Sequence, residues 1–142
     1  MENNIEMITG AEWNVMRIIW SLDSASTNTI IEKLQNESDW KASTIKTLLG
    51  RLVKKGFLAS DKEGRQFVYH ALIPEQTAMN QSAEDLFSHL CSMKRGQTLI
   101  DLVDKTEMTK RDLAELQKLI TEKIKTAPEK VDCNCLPDGN CH

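Results

Sequence analysis

Residues 41–56 read as one amphipathic helix with its own stop signal. Ile45, Leu48, Leu49 and Leu52 recur at i, i+3, i+4 and i+7, the spacing that lines a single helical face, and Gly56 supplies a natural C′ terminator. Immediately after it, two β-prone runs, Phe57-Leu58-Ala59-Ser60 and Arg65-Gln66-Phe67-Val68-Tyr69-His70-Ala71-Leu72, flank the polar connection Asp61-Lys62-Glu63-Gly64. That pattern predicts a hairpin with Lys62 and Arg65 near its tip. A helix that must bury one stripe and then hand over at once to a two-stranded ribbon has few ways to pack.

The residues upstream narrow those ways. Thr9-Gly10-Ala11-Glu12 matches a capping box, in which the threonine and glutamate side chains each satisfy a backbone N–H at a helix start. A first helix should run from there to about Ser21, with Trp13, Met16, Ile19 and Trp20 toward a core. Asp23-Ser24-Ala25-Ser26-Thr27 reads as a polar turn with capping residues, and Ile30, Ile31 and Leu34 mark a short second helix ending near Asn36. Two helices joined by a turn, a third helix and a basic hairpin make a winged helix-turn-helix, expected over residues 1–73. His70, with no second ligand near it in sequence, is expected to be structural.

Charge separates this segment from its surroundings. Residues 1–40 carry two bases against seven acids, a net −5, whereas residues 41–70 carry seven bases against two acids, a net +5. The remaining residues return the chain to its overall −3. A basic block within an acidic chain suits a phosphate-facing surface, because neutralising phosphates releases counterions and supplies affinity independent of sequence. With the apolar stripe of the third helix turned inward, Ser43, Thr47, Gly50 and Lys54 face outward, flanked by Thr44, Lys46 and Arg51. Ser43, Thr44, Lys46 and Thr47 are the base-reading candidates, and Lys41, Arg51 and Lys54, with Lys62 and Arg65 of the hairpin, the phosphate-contacting ones.

Past Pro74 the chain turns helical and acidic. Leu86, Phe87 and Leu90 stripe one segment, Leu99, Leu102 and Val103 a second, and Leu113, Leu116, Leu119, Ile120 and Ile124 a third that opens at Thr109 with Asp112 three positions on. These stripes exceed what a small winged head needs to cover. Residues 74–126 are therefore expected to form a helical homodimerisation region, whose two-fold axis would match a palindromic operator in double-stranded DNA.

Three of the four cysteines lie in the last ten residues, within an expected tail at 127–142. In an extended segment i and i+2 point the same way, so Cys133 and Cys135 can present both sulfurs to one ion. Pro137-Asp138-Gly139 is a turn that would fold Cys141 back toward them. Clustered thiolates favour soft ions such as Zn²⁺ and Cu(I). Cys91, beside Leu90 on an apolar segment, is expected to be a buried small hydrophobe. No paired nucleophile and base, phosphate-cradling loop or carboxylate pair suggests an enzyme. With no membrane-length apolar run and no secretory signal pattern, a cytoplasmic location is expected.

The head, in particular Ser43-Thr44-Ile45-Lys46-Thr47-Leu48-Leu49-Gly50-Arg51-Leu52-Val53-Lys54-Lys55-Gly56-Phe57-Leu58, resembles the penicillinase-repressor family, and the resemblance runs on through the helical region. Within that family the tail is similar to that of CopY-type copper repressors, which end in two CxC pairs. The resemblance implies a dimeric transcriptional repressor of copper-homeostasis genes, zinc-loaded or metal-poor on DNA and released when Cu(I), delivered from a copper chaperone, displaces zinc. The spacer departs from the family pattern: five residues rather than four separate Cys135 from Cys141, and His142 follows in place of CxC. The metal ligands expected are thus Cys133, Cys135, Cys141 and His142, with the partner subunit, the terminal carboxylate or a further cysteine as other sources of the fourth. The competing readings are a β-lactam-responsive repressor inactivated by proteolysis and a metal-buffering or metal-delivery protein.

Overall fold

The computed structural model describes residues 7–137. In chain order the elements are α1 (Gly10–Leu22), β1 (Ser24–Ser26), α2 (Thr27–Glu37), α3 (Ala42–Lys54), β2 (Leu58–Glu63), β3 (Gln66–Ala71), α4 (Glu75–Ser88), α5 (Arg95–Lys105) and α6 (Lys110–Ile124). They fall into two compact units that divide between Glu84 and Asp85. The fold is mainly helical with a small antiparallel sheet, a winged helix-turn-helix followed by helices.

In the first unit the capping box forms as its residues dictate. The Thr9 N–H donates to Glu12 Oε1 at 2.9 Å, and the Glu12 N–H donates to Thr9 Oγ1 at 3.3 Å. Helix α1 ends at Leu22, and its C-cap Asp23 takes a positive φ of +63° where the chain turns into β1. The stretch read as a polar turn then contains a short strand. Ser24, Ala25 and Ser26 pair antiparallel with His70, Tyr69 and Val68, giving a three-stranded sheet in the order β1-β3-β2. The wing also turns later than expected. Asp61, Lys62 and Glu63 belong to β2, Glu63 pairs with Gln66, and the connection is only Gly64-Arg65, with Gly64 at φ +64°. Glycine meets that left-handed requirement without steric cost.

The core gathers Val15, Met16 and Ile19 of α1, Ile30 and Leu34 of α2, Ile45, Leu48, Leu49 and Leu52 of α3, and Phe57 and Leu58. The expected stripes of all three helices thus meet one another. Trp13 and Trp20 pack at its edge, 5.6 Å apart between ring centroids, and Trp20 Nε1 donates to the Ile73 carbonyl at 3.0 Å.

Among the described residues one charged side chain is buried. Glu12 is fully buried and accepts from Lys55 Nζ at 2.7 Å, while Lys55 also donates to the Met7 carbonyl at 3.2 Å. Burial alone would raise the Glu12 carboxyl. Hydrogen bonds from Lys55 and Thr9, with the lysine's charge, outweigh it and hold the group below its ordinary value. Lys55 therefore leaves the basic block of the sequence and serves the head's interior.

The second unit is built differently. Thr109 caps α6 as expected, its Oγ1 accepting from the Asp112 N–H at 3.1 Å. Yet neither α5 nor α6 has a buried residue. Leu99, Leu102, Val103, Leu113, Leu119, Ile120 and Ile124 are 37–69% exposed. Among the described residues, no helix is long and apolar enough to cross a membrane.

Candidate nucleic-acid interface and metal centre

Helix α3 buries Ile45, Leu48, Leu49 and Leu52, so its remaining faces are free for other work. Lys41, Ser43, Thr44, Lys46, Thr47, Gly50, Arg51 and Lys54 are all exposed. The N-cap position is Lys41, with no side-chain cap, so Ser43 is not the capping residue. Thr47 donates its hydroxyl to the Ser43 carbonyl at 3.0 Å, leaving its oxygen as an acceptor and its methyl as an apolar contact. At Gly50 no atom lies within 4 Å of where a Cβ would stand, so the middle of this face is open and low. Arg51 and Lys54 fall in the last turn, where cations complement the helix dipole.

The wing carries Lys62 on β2 and Arg65 in its turn, both exposed. Arg65 shares a groove of about 400 Å³ with Lys46 of α3, and Thr27, Asn28, Gln66, Phe67 and Tyr69 complete its lining. Two cations far apart in sequence thus converge on one concavity. Its other wall is the start of α2, where the Ser26 side chain accepts the Thr29 N–H and the helix presents its positive end. Of this lining the sequence pattern marks only Lys46 and Arg65 as site residues; Thr27 falls in a turn with capping residues, and Asn28, Gln66, Phe67 and Tyr69 carry no site signal. The signal available was the capping motif itself, since a helix start that follows a strand also makes an anion site. His70 lies on β3, its Nδ1 3.7 Å from Asp61 Oδ2.

The second unit holds a different chemistry. Cys91, expected to be a buried hydrophobe on a helix, lies instead in the connection between α4 and α5 and is only half-buried. Its Sγ is 3.7 Å from Cys133 Sγ, and the sulfurs of Cys91, Cys133 and Cys135 all lie within 4.8 Å of one another. Cys133 is buried while the described tail residues around it are exposed, and its Sγ accepts the Cys135 N–H at 3.3 Å. Three convergent sulfurs with no carboxylate among them suit a soft cation such as Cu(I) or Zn²⁺ and fit a hard one poorly. Cys141 and His142 lie outside the described residues.

The sequence profile of the family described as Penicillinase repressor matches residues 8–122. An uncharacterized 16.5 kDa protein of Latilactobacillus sakei is 54% identical over 97% of this chain and 94% of its own length. The methicillin resistance regulatory protein MecI of Staphylococcus aureus is 32% identical over 87% of this chain and 100% of itself. The penicillinase repressor of Bacillus licheniformis is 31% identical over 83% of this chain and 92% of itself. Among solved structures, the DNA-binding domain of the repressor BlaI matches with a TM-score of 0.48 and 46% identity, covering 52% of this chain and 90% of that one. A CopR repressor structure matches with a TM-score of 0.42 and 49% identity, covering 47% and 97%.

Proposed function

This chain belongs to the penicillinase repressor family, and on that premise we propose that it is a dimeric repressor that leaves a palindromic operator when its thiolates take up Cu(I). That it is a DNA-binding transcriptional repressor and not an enzyme follows from the family. The observation that carries the copper reading is the cluster of sulfurs to which Cys133 and Cys135 contribute. The alignment with MecI covers all of that protein but only 87% of this chain, which supports a part of this chain beyond the shared repressor body.

In this reading α3 enters the major groove. Ser43, Thr44, Lys46 and Thr47 meet base edges, while Lys41, Arg51, Lys54, Lys62 and Arg65 meet phosphates. The groove between Lys46 and Arg65 seats one phosphate against the start of α2. A second copy of the chain covers the apolar faces of α5 and α6, since helices of 11 and 15 residues are marginal without packing.

Cys133 and Cys135 hold the effector, with Cys141 and His142 as further ligands and zinc as the ion of the DNA-binding form. Delivery by a copper chaperone belongs to the same reading. Release requires that the thiolates bind Cu(I) more tightly in the free protein than on DNA, and by linkage DNA must weaken Cu(I) binding by the same factor. The test is a Cu(I) titration under reducing conditions of the protein on a duplex selected by it from random DNA. Loss of the complex near stoichiometric Cu(I) is expected. A complex that survives excess Cu(I) overturns the copper reading and favours the β-lactam-responsive one.

A further inference from the structure

We propose that Cys91 is a metal ligand, so that the bound ion ties the tail to the connection between α4 and α5. The inference deepens the reading of the tail as a soft-metal site and rests on it. Three observations carry it. The 3.7 Å between Cys91 and Cys133 sulfurs is far beyond a disulfide bond of about 2.05 Å. For this pair it is close to the edge of a tetrahedron of sulfurs around zinc, about 3.8 Å for Zn–S bonds of about 2.3 Å. The approach is also built rather than incidental. Ser92 donates its N–H to Asn134 Oδ1 at 2.9 Å and its hydroxyl to the Asp132 carbonyl at 2.6 Å, so it grips both neighbours of Cys133. On the other side Arg95 donates to the carbonyls of Leu90 and Ser88 at 3.1 and 3.2 Å, fixing the backbone that leads into Cys91.

A half-buried cysteine whose neighbour clamps the tail is poorly explained as a space-filling hydrophobe. As a ligand it explains why Cys133, among the described residues of the tail, is the buried one. Ligation is an exchange without electron transfer: each thiol that binds gives its proton to solvent, and Cu(I) or Zn²⁺ keeps its oxidation state. Cys91 and Cys133 are 42 residues apart, and the chain they close contains all of α5 and α6. Metal occupancy is therefore felt at both ends of the helices whose apolar faces are exposed.

The experiment compares Cys91→Ser with Cys133→Ser in reduced, full-length protein. Co²⁺ reports thiolate number through sulfur-to-metal charge transfer, and Cu(I) affinity is read by competition with bathocuproine disulfonate. Cys91→Ser should lose one thiolate's share of the band and bind Cu(I) at least about 100-fold more weakly, since even outer-shell losses cost 10–100-fold. An unchanged band and affinity overturn the proposal. Because a serine at 91 can disturb packing, the unaltered chain is also alkylated with and without Zn²⁺. Zinc should slow modification of Cys91 in step with Cys133 and Cys135, and an equal rate with and without zinc overturns the proposal. The two readings fail separately. Cys91 shielded by metal while DNA stays bound under Cu(I) removes the copper-release reading and keeps the ligand, whereas copper-driven release with Cys91 unshielded does the reverse.

Discussion

The two units treat their apolar side chains in opposite ways. In the head, the stripes of α1, α2 and α3 close on one another, and Val15, Met16, Ile19, Ile30, Leu34, Ile45 and Leu52 have no exposed surface. In the second unit, stripes of the same helical spacing on α5 and α6 bury nothing, and Ile124 is 69% exposed. Equal amphipathicity has produced a finished core in one case and an uncovered surface in the other. The difference lies in what each helix finds to face. Three helices and a sheet enclose a volume from all sides, whereas two short helices need further surface from elsewhere. A head that is complete alone can serve as a rigid reader, and a second unit that is incomplete alone can respond to what completes it.

The largest test of that contrast is the interior charge pair. Lys55→Ala leaves the Glu12 carboxylate buried without its cation and should cost about 3–5 kcal/mol, read by urea denaturation. Acid should act on the same group. Its carboxyl is held below the ordinary value in the folded state, so the stability it adds is full above the unfolded glutamate range and falls away as pH drops through the lowered folded value. A denaturation midpoint as pH-sensitive in Lys55→Ala as in the parent would show that another carboxylate governs acid unfolding.

Next in size is a paired truncation. Ile45→Ala should destabilise the head by about 2–5 kcal/mol at any protein concentration. Leu119→Ala should instead shift the concentration dependence of sedimentation toward the monomer and leave the head's unfolding unchanged. If both variants weaken the head alike, the two units are one cooperative body and the contrast fails.

Replacing Arg51 or Arg65 with Ala probes the reading surface. Each should reduce the slope of log affinity against log salt by about one unit and weaken binding to all duplexes alike. Loss confined to one base position would make that arginine a base reader instead.

The smallest effect is the most discriminating. Gly50→Ala fills open space on the outer face of α3 and should stabilise the helix by about 0.5–1 kcal/mol. The same methyl should weaken operator binding if this face lies against DNA. Gain of stability with unchanged affinity would move the reading surface off Gly50.

The elements that were legible in the sequence rest on local rules. Thr9 and Glu12 announce the start of α1, the Ile45, Leu48, Leu49 and Leu52 stripe with Gly56 bounds α3, and Thr109 opens α6. Strand β1 escaped because Ser24-Ala25-Ser26 has no strand character of its own and exists only by pairing with β3. The wing turn shifted to Gly64-Arg65 because the pairing of Lys62 with Phe67 and of Glu63 with Gln66 outweighs the polarity of those residues. At the candidate sites, the exposed face of α3 followed from periodicity, but the convergence of Lys46 and Arg65 on the start of α2 did not.

By itself the sequence determined where α1, α3 and α6 begin, which faces α1, α2 and α3 bury and which cysteines share a tail, because hydrogen-bond caps and side-chain periods act within a few residues. Only the tertiary structure decided that Lys55 turns inward to Glu12 and that Cys91 meets Cys133. Those partners stand 43 and 42 residues apart, and nothing in the local pattern of either marks the other. Such pairs are set by the closure of the chain around them, where a buried carboxylate must find a cation and a clamped tail brings sulfur to sulfur.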